Sequence, residues 1–132
     1  MTMDIVGEIP GAAALRDWFG RFPRFHDAQA ELQINGNGTG WLKAHGFHMT
    51  DKVNDRGCYV HEKHFVATFF FDEMTKVALS DFLPGRAILA SVEIRKAGTE
   101  FEIAIDTSYG LAGSIFARRI RLEFEPTPNE TA

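Results

Sequence analysis

From Ala28 onward, hydrophobic residues recur at every second position, and this spacing restricts the fold more than any other feature of the chain. Ala28, Ala30, Leu32 and Ile34 alternate with polar residues, as in a strand that buries one face. Similar segments follow, separated by short turns rich in glycine, asparagine and proline. Parallel strands need long crossover connections, so short turns favour antiparallel neighbours. The pattern therefore predicts a strongly curved antiparallel meander of about seven strands.

The longest apolar run lies in the third predicted strand. Phe65–Phe71 is apolar on both faces, which predicts a central strand covered on both sides. The predicted strands are Ala28–Ile34, Trp41–Met49, Tyr59–Phe71, Lys76–Phe82, Ala87–Lys96, Glu100–Asp106 and Ala112–Glu125.

One helix is predicted, over Pro10–Phe19. Pro10 suits the first helical position, and Gly20 can end the helix in a left-handed conformation. Leu15, Trp18 and Phe19 form an apolar stripe that we expect to pack on the concave face of the sheet. The predicted fold class is α+β, mainly β: one N-terminal helix on a curved antiparallel sheet.

Size and composition limit the classes of function. The 132 residues predict a single domain over 1–132, with 1–9 and 126–132 flexible. A net charge of −4 argues against nucleic-acid binding through phosphate contacts. The lone Cys58 excludes an intramolecular disulfide and favours a small buried thiol over a nucleophile. With no membrane-length apolar stretch and no secretory signal, we expect a cytoplasmic protein without membrane contact.

The corner before the first strand places His26 beside Asp27. The pair could act as a general base with an orienting carboxylate, or as metal ligands. The alternative is structural: Asp27 caps backbone N–H groups while His26 hydrogen-bonds across to another strand. We favour the structural interpretation and expect no catalytic, cofactor-binding or metal-binding residues.

The remaining histidines form two pairs, each three residues apart. His45 and His48 are expected on opposite strand faces, and the same holds for His61 and His64. Neither pair can then chelate one metal, although a site assembled from different strands stays open.

Three arginines lie on the last predicted strand. Arg118, Arg119 and Arg121 could recognise an acidic group. The alternatives are a solvated face, or pairing with neighbouring acids, here Glu100 and Glu102 across the hairpin.

Several of these segments together resemble the bacterial immunity protein 50 family of polymorphic-toxin systems. The resemblance rests on Trp18-Phe19 followed by the Phe22–Ala28 corner, in which Phe25, His26 and Asp27 are the most specific residues. The strand Gln29–Ile34, the stretch Gly57–Phe71 and the pair Val77–Phe82 and Ile88–Ile94 also match. The resemblance implies a small protein that binds and neutralises a toxin encoded nearby.

The leading hypothesis is therefore a soluble protein-binding module without catalytic turnover or cofactor. The alternatives are a small enzyme or ligand-binding protein that uses a His26/Asp27 pocket, and a structural homodimer domain paired through a strand edge. The candidate partner-binding residues are the acidic loop residues Asp51, Asp55 and Glu62 and the turn acids Asp72 and Glu73. If the partner is a basic toxin domain, we expect the field of these acids to speed its association.

Overall fold

The computed structural model describes residues 5–53, 55–57, 59–82 and 87–127. A short 3-10 helix, Ile5–Glu8, precedes the single α-helix of this part of the chain, α1 (Ala12–Phe19). Six strands follow: β1 (Gln29–Ile34), β2 (Gly40–Val53), β3 (Tyr59–Phe82), β4 (Ala87–Ala97), β5 (Glu100–Tyr109) and β6 (Leu111–Pro126). The predicted fold class, mainly β with one N-terminal helix, is confirmed.

The six strands close into an antiparallel barrel in the order β1-β2-β3-β6-β5-β4. Closure rests on a short pairing of β1 with β4, Gln29 opposite Ile88 and Ala30 opposite Ala87. The prediction of one continuous meander is wrong, because β6 lies beside β3 in a Greek-key arrangement. Phe82 at the end of β3 lies opposite Leu111 on β6, and Ile88 at the start of β4 lies opposite Tyr109 on β5. The end of β3 and the start of β4 therefore lie on either side of the β5–β6 hairpin.

Two segments predicted as separate strands, Tyr59–Phe71 and Lys76–Phe82, belong to the single strand β3. The pairing with β6 continues from Asp72 opposite Arg119 to Met74 opposite Ala117, and this bridges the predicted break. Glu73, which follows Asp72 at this point of β3, has a φ of 53, a value that is uncommon for residues other than glycine. Seven predicted segments therefore form six strands.

Alternate residues of β3 fill the barrel. Phe65, Ala67, Phe69 and Phe71 are buried, and Phe65 and Phe69 are among the largest side chains that solvent does not reach. Phe70 points to the other face and is only half-buried. The prediction that this run is covered on both faces is therefore wrong, because closure provides a dry interior and leaves the outer face of the sheet partly open.

Helix α1 packs on this interior through Ala12, Leu15 and Phe19, all buried. Trp18 is partly buried, with its ring 5.7 Å from that of Phe65, so the predicted role of the helix in the core is confirmed. The helix begins at Ala12 rather than at Pro10. It ends as predicted at Gly20, which has φ 100 and donates its N–H to the Arg16 carbonyl at 2.8 Å.

Both ends of the described part make contacts with the rest of the structure. Within the segment 1–9 predicted to be flexible, Ile9 is buried beside the 3-10 helix. At the other end, Pro126 closes β6, and the Thr127 N–H donates to the His64 carbonyl at 2.8 Å. Residues 1–4 and 128–132 lie outside the described part.

Gly11 fixes the entry of the chain into α1. The preceding carbonyl, of Pro10, accepts a 2.8 Å hydrogen bond from the Leu122 N–H on β6. Gly11 itself has φ 88, and a Cβ at this position would overlap the Leu122 carbonyl oxygen. The backbone approach therefore requires a residue without a side chain.

We expect Gly11→Ala to lower the free energy of unfolding by about 3 kcal/mol or more, because left-handed strain adds to the overlap with the β6 backbone. Gly20→Ala is the matched control, since Gly20 has a similar φ but no atom within 4 Å of the place that a methyl group would occupy. It should cost only about 1–2 kcal/mol. Urea denaturation of both variants measures the difference, and equal costs would contradict the proposed close approach.

Candidate functional site

The corner between α1 and β1 is held by backbone hydrogen bonds to β4. The Asp27 N–H donates to the Leu89 carbonyl at 2.8 Å, and the Leu89 N–H donates to the Ala28 carbonyl at 2.9 Å. The Val92 N–H donates to the Arg24 carbonyl at 3.3 Å. These bonds extend the short pairing of β1 with β4, so the corner forms part of the seam that closes the barrel.

Phe25 anchors this corner at a cost in backbone strain. Its φ is 61, a value that a bulky residue rarely adopts. Its ring is 3% exposed and lies 5.9 Å from Phe65 and 5.6 Å from Phe69. Burial of a phenylalanine contributes about 1.5–3 kcal/mol, enough to offset strain of about 1–3 kcal/mol.

The side chains of His26 and Asp27 point outward, with exposed fractions of 67% and 46%. The turn brings His26 Nε2 within 3.5 Å of Asp27 Oδ2. His26 Nδ1 lies 3.3 Å from the Ala90 carbonyl oxygen on β4, the cross-strand bond expected from the structural interpretation. Asp27 differs from that expectation, because none of the described backbone N–H groups donates to its carboxylate.

Asp27 contributes to the corner through its backbone, which adopts a φ of 61. Aspartate tolerates this conformation better than alanine does, and glycine better still. His26 also lines a small cleft of about 170 Å³ between the corner and β2. The cleft is smaller than most ligand pockets, which range from about 300 to 1,000 Å³.

We expect Asp27→Ala to reduce stability by about 1 kcal/mol, because alanine is strained at positive φ. Asp27→Gly should match or exceed the parent protein, since it relieves the same strain. His26→Ala should stay within about 0.5 kcal/mol of the parent, as surface changes usually do. Thermal melting orders the three variants, and a glycine variant as unstable as the alanine one would show that the carboxylate itself contributes.

Two of the histidines contact each other across neighbouring strands. His45 on β2 and His64 on β3 have ring centroids 5.5 Å apart, whereas His48 packs edge-on against Phe19. The expectation that His45 and His48 lie on opposite faces of β2 is confirmed, because His45 contacts the His64 ring and His48 contacts the buried Phe19 ring. The side chain of His61 and the whole of Cys58 lie outside the described part. Among the side chains that the structure describes, no three metal-ligating groups converge.

The five acids predicted to meet a partner do not form one patch. Asp72 and Glu73 lie on β3 rather than in a turn, and both are exposed. Asp51 lies on β2 and Glu62 on β3, with side chains outside the described part, so only Asp55 occupies a turn. The connection between β2 and β3 is short because the two strands stay paired as far as Val53 opposite Tyr59.

A groove of about 600 Å³ lies at the opposite end of the β2–β3 hairpin. We call it the arginine groove, because Arg118, Arg119 and Arg121 line it. The other lining residues are Glu8, Pro10, Asn35, Thr39, Gly40, Trp41, Phe70, Phe71, Asp72, Phe101 and Ile120.

Three side chains lie in register across the outer face of the sheet at this groove. Trp41 on β2 is paired with Phe70 on β3, which is paired with Arg121 on β6. Arg121 Cζ is 4.1 Å from the centre of the Phe70 ring, so the guanidinium stacks on the aromatic face. Trp41 and Phe70 are both half-buried and present apolar surface to solvent.

The arginines differ in their partners. Arg119 Nε lies 3.4 Å from a Glu73 oxygen, and Arg121 Nη1 lies 3.1 Å from a Glu123 oxygen. Arg118 is exposed and has no carboxylate within ion-pair distance among the described residues. Both ion pairs are solvent-exposed, so each contributes only about 0–1 kcal/mol.

The predicted pairing of these arginines with Glu100 and Glu102 is wrong. β5 pairs with β6 only from Phe101 opposite Ala117 to Ile105 opposite Gly113, and the arginines lie beyond that stretch. Glu102 instead accepts a 2.9 Å hydrogen bond from Ser114 and lies 3.8 Å from Arg95. A hydrogen bond to Glu93 and the charge of Glu102 raise the pKa of Arg95.

The outer face of β2, β3 and β6 continues beyond the groove. A second depression of about 490 Å³ is lined by Lys43, Val66, Thr68, Glu123, Phe124 and Glu125. Val66 and Thr68 share the outward face of β3 with Phe70, and all three are half-buried. A partly apolar surface with charged edges therefore runs along these three strands.

No family model matches the chain, and neither a curated protein nor a solved structure is significantly similar to it. In the described part of the chain, no helix has the length and apolar character needed to cross a membrane.

Proposed function

We propose that this chain is a cytoplasmic protein-binding module of the immunity type, which neutralises a toxin by stoichiometric binding. The arginine groove is the observation that carries this proposal. The resemblance to immunity protein 50 supplies the class of partner, and the groove supplies a surface on which such a partner can bind.

The composition of the groove supports this proposal. Tryptophan, tyrosine and arginine dominate binding hot spots, and such residues concentrate near the centre of the contact. Trp41, Phe70 and Arg121 form a row of this kind on three paired strands. Because the strands belong to a closed barrel, these side chains are positioned before the partner arrives, which lowers the entropic cost of binding.

Two of the five candidate acids, Asp72 and Glu73, belong to this surface. Asp72 lines the groove, and Glu73 contacts Arg119 at its rim. Asp55, with Asp51 and Glu62 on the neighbouring strands, belongs to the other end of the β2–β3 hairpin. In this proposal Asp72 and Glu73 contact the toxin directly, and the distant acids attract a basic toxin during association.

Co-purification with the product of the neighbouring gene tests the proposal. Trp41→Ala and Arg121→Ala should each weaken capture by about thirtyfold or more, the loss typical of hot-spot residues. Arg95→Ala is the matched control, since Arg95 is an exposed arginine on β4, two strands away from β6. It should leave capture unchanged.

The physiological readout is growth of cells that produce the toxin. The parent chain and Arg95→Ala should protect them, whereas the groove variants should not, with unchanged melting temperatures for all. Turnover of a small substrate that His26→Ala abolishes in a folded protein would contradict the proposal and favour an enzyme.

A further inference from the structure

We propose that the arginine groove binds an extended acidic segment of the partner, in which a carboxylate side chain stands next to an apolar one. This inference rests on the proposed function, because it takes the groove as the protein-binding surface. It adds the chemistry of the segment that is recognised.

The floor of the groove selects the apolar neighbour. Phe71, Phe101 and Ile120 are buried barrel residues whose edges reach the groove. Trp41 and Phe70 are half-buried on its outer side. An apolar side chain that packs on Trp41 and Phe70 removes their remaining apolar surface from water, which drives association.

The charges at the groove select the carboxylate. Three arginines line it against two acids, Glu8 and Asp72. Glu8 is already 3.4 Å from Lys96, and Arg118 has no carboxylate partner among the described residues. A guanidinium recognises a carboxylate through paired N–H donors, so Arg118 is the first contact for an incoming acid.

The other two arginines can join this contact at small cost. Their bonds to Glu73 and Glu123 are exposed and weak, so an incoming carboxylate can replace either glutamate. The stack of Arg121 on Phe70 restricts the guanidinium, so less side-chain freedom is lost when it binds.

A polyanion such as nucleic acid does not fit this surface. Asp72, Glu73, Glu123 and Glu8 surround the arginines, and the whole chain carries a net charge of −4. These charges repel an extended row of phosphates but tolerate a single carboxylate that contacts Arg118. The mixed charge therefore favours a short acidic and apolar segment of a protein.

Selection from a phage-displayed library of random short peptides tests this inference without knowledge of the toxin. The full chain is the bait, and the Arg118→Gln and Trp41→Ala variants, verified to melt like the parent, are used for counter-selection. We expect groove-dependent peptides that carry aspartate or glutamate beside an aromatic or aliphatic residue. Titration calorimetry should show that changing the acid to its amide weakens binding about tenfold or more, and that Arg118→Gln does the same.

The control variant Arg95→Gln should bind the selected peptides like the parent. Enrichment of basic peptides, amide analogues that bind equally, or no peptide that depends on the groove would each overturn the inference. If the toxin is captured while no acidic peptide is selected, the proposed function stands and this inference fails. If acidic peptides bind and the toxin does not, the inference stands and the immunity function fails.

Discussion

Closure of the barrel between β1 and β4 is the constraint on which the rest of the structure depends. The two strands pair over only two residue positions, Gln29 opposite Ile88 and Ala30 opposite Ala87. The preceding corner adds backbone hydrogen bonds to the same strand and inserts the Phe25 ring between the seam and the core. The corner of Phe25, His26 and Asp27 thus has a structural role that requires no catalysis. It helps to close the barrel, and without this closure the sheet would have two open edges.

Closure also determines what the outer surface can do. A barrel of six strands is narrow enough for its own side chains to fill, and here Phe65, Phe69 and Phe71 fill it. The side chains at the alternate positions of each strand point outward and must contact water or another molecule. Trp41 and Phe70 are at such positions, and the arginine groove forms where they meet the charged residues of β6. The same geometry that completes the core therefore supplies the candidate binding surface.

The sequence predicts the local features of this fold well. The period of two indicates the strands, and Gly20 indicates the end of the helix, because both depend on residues close together in the chain. Pairing between distant strands is not visible in this way: nothing local to Phe70 or Arg121 shows that β6 lies beside β3. For this reason the sequence wrongly predicts cover on both faces of Phe65–Phe71 and a pairing of the arginines with β5. The alternation of residues along the strands could have indicated that Trp41 and Phe70 point outward. Locating the groove also required knowing which residues of β2, β3 and β6 are paired.

The bond from the Leu122 N–H to the Pro10 carbonyl has a consequence for synthesis of the protein. It joins the entry of the first helix to the last strand, and β6 also completes the pairing of β3. A chain emerging from the ribosome therefore cannot complete the packing of α1 or cover one edge of its phenylalanine-rich strand until β6 has been released. Contacts between such distant segments slow folding and leave apolar strands exposed meanwhile. Because an unpaired strand edge can pair with another chain, we expect nascent copies to be prone to aggregation until β6 has been synthesised.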